Sequence, residues 1–175
     1  MKTIKLKNVK NLTIHCDGDV TVEMHNCASQ KKDHASQKKQ PQEHFTFDEA
    51  QEAVKGKPFR LPTKQEFQNL LKNEHFFKDG KLFVLSGSRC IAFSAKGYRN
   101  YSNGSLRHSG DCGYYWSSSS NSQSTRWGLN FTSSYAGCDF DGKDYGFALR
   151  CVSDSPLEGF IKIGNLYWAT ENYSK

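Results

Sequence analysis

The stretch that decides the fold is GYYWSSSSNSQSTRWGLNF, residues 113–131, which sets bulky aromatic residues directly against serines and asparagines. An aromatic pair beside a glycine is more often part of a core than of a ligand site. We therefore predict that Tyr115 and Trp116 anchor the fold, whereas alternation along a strand turns Tyr114 to the exposed side. The predicted core rings of this stretch are Tyr115, Trp116, Trp127 and Phe131.

The segments around this stretch indicate helices upstream and strands downstream. Two T-x-x-E capping boxes, at Thr46 and Thr63, are each followed by apolar residues at helical spacing. After residue 73, short apolar runs such as KLFVL and YGFALRCV alternate with glycine, serine, asparagine and aspartate, which indicates strands and turns. Two early helices followed by short strands predict an α+β fold.

The N-terminal part of the chain predicts a small separate unit. Residues 1–27 alternate apolar and polar side chains around Asp17-Gly18-Asp19, which is a strong β-hairpin signal. Residues 28–43 are almost entirely polar and nearly repeat a short lysine-rich unit, so we expect a linker. Residues 44–175 are predicted to form one domain.

The charge balance identifies no particular partner. The chain of 175 residues carries 24 Lys and Arg against 18 Asp and Glu, a net charge of +6. Much of the excess lies in two N-terminal runs whose lysines are not interleaved with aromatic residues, so a solvated segment is favoured over a nucleic-acid contact. From the pattern of apolar residues we expect neither an export signal nor a membrane span.

The residue types that could carry catalysis or bind metal are dispersed. The 6 cysteines include no C-x-x-C pair and no histidine pair has zinc spacing, so we expect reduced thiols and no metal site. The 6 histidines fall in no nucleophile elbow, phosphate loop or metalloprotease motif. We therefore predict that the chain is not an enzyme and uses no cofactor. Asp139, Asp141 and Asp144 are interpreted as turn carboxylates rather than cation ligands.

A set of ordered motifs carries a resemblance to a known family. FTFDEAQEA, FRLPTKQEFQNLL, IAFSAKGYRNYSNGSL, GYYWSSS, LNF and YGFALRCV follow one another between residues 44 and 152. Together they resemble the Fibrobacter-type major paralogous domain, a bacterial and phage branch of the C-type lectin fold. The resemblance implies an α+β, C-type lectin-like fold with two helices and short antiparallel strands.

The C-terminal segment departs from the usual arrangement of that family. IGNLYWATEN, residues 163–172, resembles the sequence that normally opens such domains, yet here it comes last. This order predicts a circularly permuted domain. The alternative is the truncated start of a second domain.

The same resemblance implies a function in binding. Relatives in this branch include the target proteins of diversity-generating retroelements, in which randomised codons enrich Asn, Ser, Tyr, Asp, Gly, His, Arg and Cys. Residues 98–145 have that composition, so the chain is expected to bind a ligand or receptor through a hypervariable polar and aromatic surface. Cys112 and Cys138 are then products of randomisation, although a disulfide between them is left open. The predicted ligand contacts are Tyr98, Asn100, Tyr101, Arg107, His108, Asp111, Tyr114, Ser119, Asn121, Ser122, Arg126, Ser134, Tyr135, Asp139 and Asp141.

The resemblance also implies a kind of partner and a location. The partner is expected to be a protein or glycan receptor on a target-cell surface, with homo-oligomerisation, such as a trimer, through the N-terminal unit. The expected location is a virion, as part of a phage tail or fibre, or a cell surface. The alternative function is a non-diversified adhesion or structural module of a virion or bacterial surface.

Overall fold

The computed structural model describes residues 41–175. The predicted hairpin at residues 1–27 and residues 28–40 of the predicted linker lie outside the described residues. In the part of the chain that is described, no helix is long and apolar enough to cross a membrane.

Both predicted helix starts are confirmed. Helix α1 (Phe47–Val54) begins after the N-cap Thr46, and helix α2 (Lys64–Leu70) begins after the N-cap Thr63. In each case the threonine side chain accepts the N–H of a glutamate three residues on, and that glutamate accepts the threonine N–H. The reciprocal pair satisfies backbone donors that a helix start leaves free. Each helix buries one aromatic side chain, Phe47 or Phe67.

The rest of the described chain consists of short antiparallel strands in four sheets. The first sheet has the order β1-β2-β3, the second pairs β4 with β5, the third has the order β6-β7-β8, and the fourth has the order β10-β11-β9. The strands are β1 (His75–Lys78), β2 (Lys81–Ser86), β3 (Arg89–Ser94), β4 (Tyr98–Arg99), β5 (Leu106–Arg107), β6 (Gly113–Ser120), β7 (Thr125–Phe131), β8 (Ala136–Gly142), β9 (Val152–Ser153), β10 (Phe160–Ile163) and β11 (Leu166–Ala169).

The predicted fold class is wrong. The structure is mainly antiparallel β, with a strand content of 43% and two short helices, and its small sheets close into no barrel among residues 41–175. The capping boxes correctly marked where helices begin, but they carry no information on length, and the helices end after 8 and 7 residues. Gly56, with a φ of +69°, follows the first helix closely and favours its early end. Neither helix is long enough to make a helical layer of an α+β fold.

The C-terminal segment forms a hairpin that adds to the two-residue strand β9. β10 pairs with β11, and Trp168 of β11 pairs with Val152 of β9. The predicted circular permutation was part of the C-type lectin-like fold class, so it is wrong together with that class. The strands in residues 160–169 are nevertheless paired. The segment is an integral part of the described domain because Trp168 is 2% exposed within the main core cluster.

The core consists of two aromatic-rich clusters on opposite sides of β6. One contains Tyr115 and Phe131 and lies against α2. The other contains Trp116, whose ring stacks on Phe147 at a centroid distance of 4.1 Å and whose Nε1 donates to the carbonyl oxygen of Phe45 at 2.8 Å. The structural role predicted for Tyr115, Trp116 and Phe131 is therefore confirmed.

The prediction of Trp127 as a core residue is wrong. Trp127 is partly exposed and belongs to neither core cluster. Its ring packs edge-on against Phe140, and the Lys64 ammonium lies 3.1 Å from its centroid. The ring sits near the turn end of β7, where the sheet extends past the core, so a lysine covers it instead of apolar residues.

A buried arginine joins two of the sheets. Arg150 is 1% exposed, and its guanidinium donates to the carbonyl oxygen of Ala92 in β3 at 2.6 Å and to that of Ala169 in β11 at 2.9 Å. The same group lies 5.0 Å from the ring centroid of Phe93. Burial lowers the pKa of Arg150. The arginine thus holds the C-terminal hairpin to the first sheet.

Candidate functional site

The outward face of the β6-β7-β8 sheet has a composition unlike that of its core face. Tyr115 pairs with Leu129, which pairs with Cys138, and all three side chains pack on the core. One residue along, Tyr114 pairs with Asn130, which pairs with Gly137. Because successive side chains alternate across a sheet, this second row lies on the opposite side of the sheet, which we call the outward face. On that side Trp116 is buried in the second core cluster, and Tyr114 packs partly against the cluster with its ring 5.2 Å from that of Phe147.

Four tyrosines meet at this face, and we call Tyr98, Tyr101, Tyr114 and Tyr145 the tyrosine cluster. The Tyr98 ring centroid lies 5.1 Å from that of Tyr114 and 5.5 Å from that of Tyr145. Tyr101 meets Tyr145 at 5.1 Å, and all three contacts are edge-to-face, an arrangement that aromatic quadrupoles favour. Tyr101 is 64% exposed and the other three are partly exposed.

Backbone contacts between distant segments bring the tyrosine cluster together. Gly97 forms a parallel bridge with Gly113, which sets Tyr98 beside Tyr114. Gly97 has a φ of +64°, and a Cβ atom there would collide with the carbonyl oxygen of Arg107, so only glycine suits the position. Arg99 and Gly146 exchange two backbone hydrogen bonds of 2.8 and 2.9 Å, which places the preceding Tyr145 at the same face.

Two polar side chains meet beside the tyrosine cluster. The Asn130 Nδ2 atom donates to the Asp141 carboxylate at 3.4 Å. Gly128 lies on the same side of the sheet, and a Cβ atom there would come within 2.7 Å of the Tyr115 carbonyl oxygen. That Oδ1 atom is buried and has no hydrogen-bond partner among the described residues. Asn130 therefore gives one hydrogen bond and leaves one acceptor unused.

Burial shapes the electrostatics of this face. Burial raises the pKa of Asp141, the hydrogen bond from Asn130 opposes that rise, and the charge of Asp139 adds to it. Burial also raises the pKa of Tyr114 to about 12, with smaller contributions from Cys112 and Asp141. The tyrosine hydroxyl therefore stays protonated at neutral pH, and it can donate as well as accept a hydrogen bond.

Arg126 faces Asp141 across the strands but does not pair with it. The two residues are register partners in β7 and β8. The Arg126 guanidinium instead donates to the carbonyl oxygens of Ser122 at 2.6 Å and Thr125 at 2.9 Å, and it lies 4.7 Å from the ring centroid of Phe47. Among residues 41–175, Asp141 takes part in no ion pair.

Tyr135 extends the aromatic surface to the other end of the sheet. A Cβ atom at Gly137 would collide with the Tyr135 hydroxyl, so the ring lies directly over that glycine. Gly137 belongs to the same outward row as Tyr114 and Asn130. Tyr135 is 53% exposed. The outward face thus carries tyrosine rings on both sides of Asn130.

The structure brings together some of the predicted contact residues and separates others. Tyr98, Tyr101, Tyr114 and Asp141 lie in or beside the tyrosine cluster, and the His108 ring is 5.9 Å from that of Tyr98. None of the predicted residues is buried. Those on the outward face or beside the cluster are Tyr98, Tyr101, His108, Tyr114, Arg126, Tyr135, Asp139 and Asp141.

The remaining predicted residues are not part of that face, although Arg107 adjoins the tyrosine cluster because it pairs with Tyr98 in the β4-β5 sheet. Asn121 and Ser122 form the β6-β7 turn, at the opposite end of the sheet from Ser134 in the β7-β8 turn. The Ser119 hydroxyl accepts the N–H of Lys64 at 2.9 Å, on the side of α2. Asn100, Arg107 and Asp111 lie in or near the β4 and β5 region.

Sequence reasoning missed two members of the outward face, Asn130 and Tyr145. Hairpin parity after the β6-β7 turn could have placed Asn130 on the same side as Tyr114, but its pairing with Tyr114 depends on a register shift between Trp116 and Ser120 that the sequence does not signal. Tyr145 gives no such signal, since only the long-range bridge between Arg99 and Gly146 brings it to the cluster.

The cysteines and acidic residues form no further centre in the described region. Cys112 and Cys138 do not form a disulfide, and burial raises the pKa of the Cys138 thiol to about 11. Between residues 41 and 175, no three His, Cys, Asp or Glu side chains are grouped as metal ligands would be.

Comparison with known proteins gives one match. Residues 71–152 match the model of a family described as a domain of unknown function (DUF8237), and the matched range includes the tyrosine cluster, Asn130 and Asp141. The chain matches none of the curated proteins or solved structures with which it was compared.

Proposed function

We propose that this protein binds a ligand or receptor through the outward face of the β6-β7-β8 sheet. The observation that carries the proposal is the tyrosine cluster, in which four rings from three separate segments converge beside Asn130 and Asp141. Tyrosine supplies a large amphipathic contact area with little loss of side-chain entropy, which is why binding surfaces are rich in it. No catalytic role is proposed for this surface.

The packing beneath this face supports the proposal. Tyr115 and Trp116 are both 0% exposed, whereas the neighbouring Tyr114 is partly exposed. Removing a buried aromatic side chain costs about 3–5 kcal/mol, whereas most exposed substitutions change stability by less than about 0.5 kcal/mol. Outward residues can therefore be selected for binding while the core keeps the sheet in place.

We further propose that residues 98–145 are diversified, as in the target proteins of retroelements that the sequence resembles. The support is the enrichment of this interval in Tyr, Ser, Asn, Gly and Asp, and the absence of any buried residue among the predicted contacts. Sequencing the DNA beside the gene tests the proposal. It predicts a reverse transcriptase gene and a near-copy of codons 98–145 that differs only at adenines.

The result of that sequencing separates two functions. If neither the reverse transcriptase nor the near-copy is present, the diversification proposal fails and a fixed adhesion or structural module of a virion or bacterial surface replaces it. Both functions place the protein on a virion or a cell surface and give it a protein or glycan receptor as partner.

The binding proposal has its own test, which does not depend on diversification. Fluorescently labelled full-length protein is measured on a panel of bacterial cells by flow cytometry, as wild type and as Tyr101→Ala. We expect saturable binding to some cells, weakened at least about tenfold by the loss of a contact anchor. Tyr167→Ala, on the separate β10-β11-β9 sheet, is the matched control and should bind like the wild type. Equal binding by wild type and Tyr101→Ala would refute the proposal.

A further inference from the structure

The half-buried carboxylate of Asp141 has no cationic partner in the described structure. Its register neighbour Arg126 turns away to the carbonyl oxygens of the β6-β7 turn and to the ring of Phe47. The one hydrogen bond that Asp141 receives comes from the neutral amide of Asn130, at 3.4 Å. Buried carboxylates are normally paired with a cation or with several hydrogen-bond donors. The Asp141 carboxylate has neither among residues 41–175.

The side-chain oxygen of Asn130 also lacks a hydrogen-bond donor within the described part of the chain. Because its Nδ2 atom points to Asp141, its Oδ1 atom is the acceptor that is left over, buried and without a partner among residues 41–175. An unsatisfied buried acceptor costs about 1–3 kcal/mol, which a bound N–H donor would recover. Asn130 Oδ1 and the charged Asp141 carboxylate are therefore adjacent acceptors that can both receive hydrogen bonds from one bound group.

The surrounding rings favour a cation at this place. The faces of tyrosine rings attract positive charge, and Tyr114 of the tyrosine cluster lies directly across the strands from Asn130, which is hydrogen-bonded to Asp141. The same protein places both kinds of cation over aromatic rings, with the Arg126 guanidinium 4.7 Å from Phe47 and the Lys64 ammonium 3.1 Å from Trp127, so the choice between them rests on the two acceptors. A guanidinium is planar and carries donors in a fixed fork, so it can stack on a ring while it donates to two acceptors.

We propose that the outward face recognises an arginine side chain of its partner, whose guanidinium donates to Asp141 and Asn130 and packs on the tyrosine cluster. The inference rests on the proposed binding function and names the chemical class that this face selects. A quaternary ammonium fits less well because it has no N–H group to donate to Asn130 Oδ1. A lysine ammonium is a compact point charge that cannot stack as a plane on a tyrosine ring.

The test uses small probes and the full-length chain. The amide signals of the isotope-labelled protein are followed by NMR during titration with N-acetyl-arginine amide, with its neutral isostere N-acetyl-citrulline amide, with N-acetyl-lysine amide and with choline. We expect saturable shifts for residues 98, 114, 130, 141 and 145 with the arginine derivative. The citrulline, lysine and choline probes are expected to bind at least about tenfold more weakly, since each lacks either the charge or the planar fork.

Variants and outcomes make the inference refutable. Asp141→Asn should weaken the arginine derivative at least about tenfold, and Glu158→Gln, an exposed carboxyl on the chain segment before β10, should leave its affinity unchanged. Equal affinity for arginine and citrulline derivatives would overturn the inference without any variant having to fold. Equal affinity for the lysine derivative or choline, or shifts confined to other surfaces, would overturn it as well.

This experiment fails independently of the one that tests binding to cells. If the arginine derivative does not bind but Tyr101→Ala still weakens cell binding, the ligand class is wrong and the proposed function stands. If the arginine derivative binds but cell binding is indifferent to Tyr101→Ala, the proposed function is wrong.

Discussion

Replacing Trp116 with phenylalanine should destabilise the fold far more than the same change at Trp127. Trp116→Phe removes the hydrogen bond from Nε1 to the Phe45 carbonyl oxygen, and it shrinks a ring that is 0% exposed and stacked on Phe147. The Phe45 oxygen keeps the N–H of Phe147 as a donor at 2.9 Å, so the lost hydrogen bond costs about 1 kcal/mol rather than a full desolvation penalty. The smaller ring adds about 1–2 kcal/mol, for a total of about 2–3 kcal/mol.

Trp127→Phe is the matched control. That ring is partly exposed, and the change weakens mainly its contact with the Lys64 ammonium, which is worth about 0.5–1 kcal/mol. The free energy of unfolding is measured by urea denaturation followed by far-UV circular dichroism, which does not depend on tryptophan emission. Equal losses in the two variants, or a larger loss for Trp127→Phe, would show that Trp116 is not the anchor that the structure indicates.

Three further predictions concern backbone geometry, charge and the buried arginine. Gly97→Ala should lower the melting temperature more than Gly87→Ala, because both glycines have a positive φ but only the first would drive a Cβ atom into a backbone carbonyl; equal shifts would contradict this. Since burial raises the pKa of Asp141, the folded state holds that proton to a higher pH than the unfolded chain, so wild type should lose stability relative to Asp141→Asn as pH rises through the folded pKa. If the difference in the free energy of unfolding between wild type and Asp141→Asn stays constant from acid to neutral pH, the raised pKa of Asp141 is ruled out. Arg150→Met should cost about 2–6 kcal/mol, because carbonyl oxygens in two sheets each lose a donor, against less than about 1 kcal/mol for the exposed Arg107→Met, whose guanidinium donates to Ser105 Oγ. Hydrogen exchange in β11 should accelerate only in the Arg150 variant.

The fold could be predicted from the sequence wherever a signal is local. The capping boxes at Thr46 and Thr63 each involve residues three apart, and both helices begin where those boxes predict. Alternation correctly separated Tyr114 from Tyr115, but it could not separate Tyr114 from Trp116, which lies on the same side of β6 and is 0% exposed. The fold class was wrong because it depends on helix length and on how many strands pair, and those follow from long-range contacts such as the hydrogen bonds of Arg150 to two sheets.

The candidate surface was predictable to a similar degree. Composition pointed to the interval 98–145, and parity turned Tyr114 away from Tyr115, to the side where it is partly exposed and partly packed on the second core cluster. Composition could not separate Ser119, whose hydroxyl receives a backbone N–H of α2, from residues that are available for contact. Nor could it find Asn130, whose place in the site follows from its pairing with Tyr114 and its hydrogen bond to Asp141 in the next strand.

The central claim is that the outward face can change while the buried rings hold the sheet, and the protease resistance of two display libraries tests it most directly. One library randomises Tyr101, Tyr135 and Asp139, which are exposed, and the other randomises Tyr115, Trp116 and Phe131, which are buried. We predict that most members of the first library resist proteolysis like the wild type and that few members of the second do. Similar resistance in both libraries, or greater loss in the first, would contradict the account.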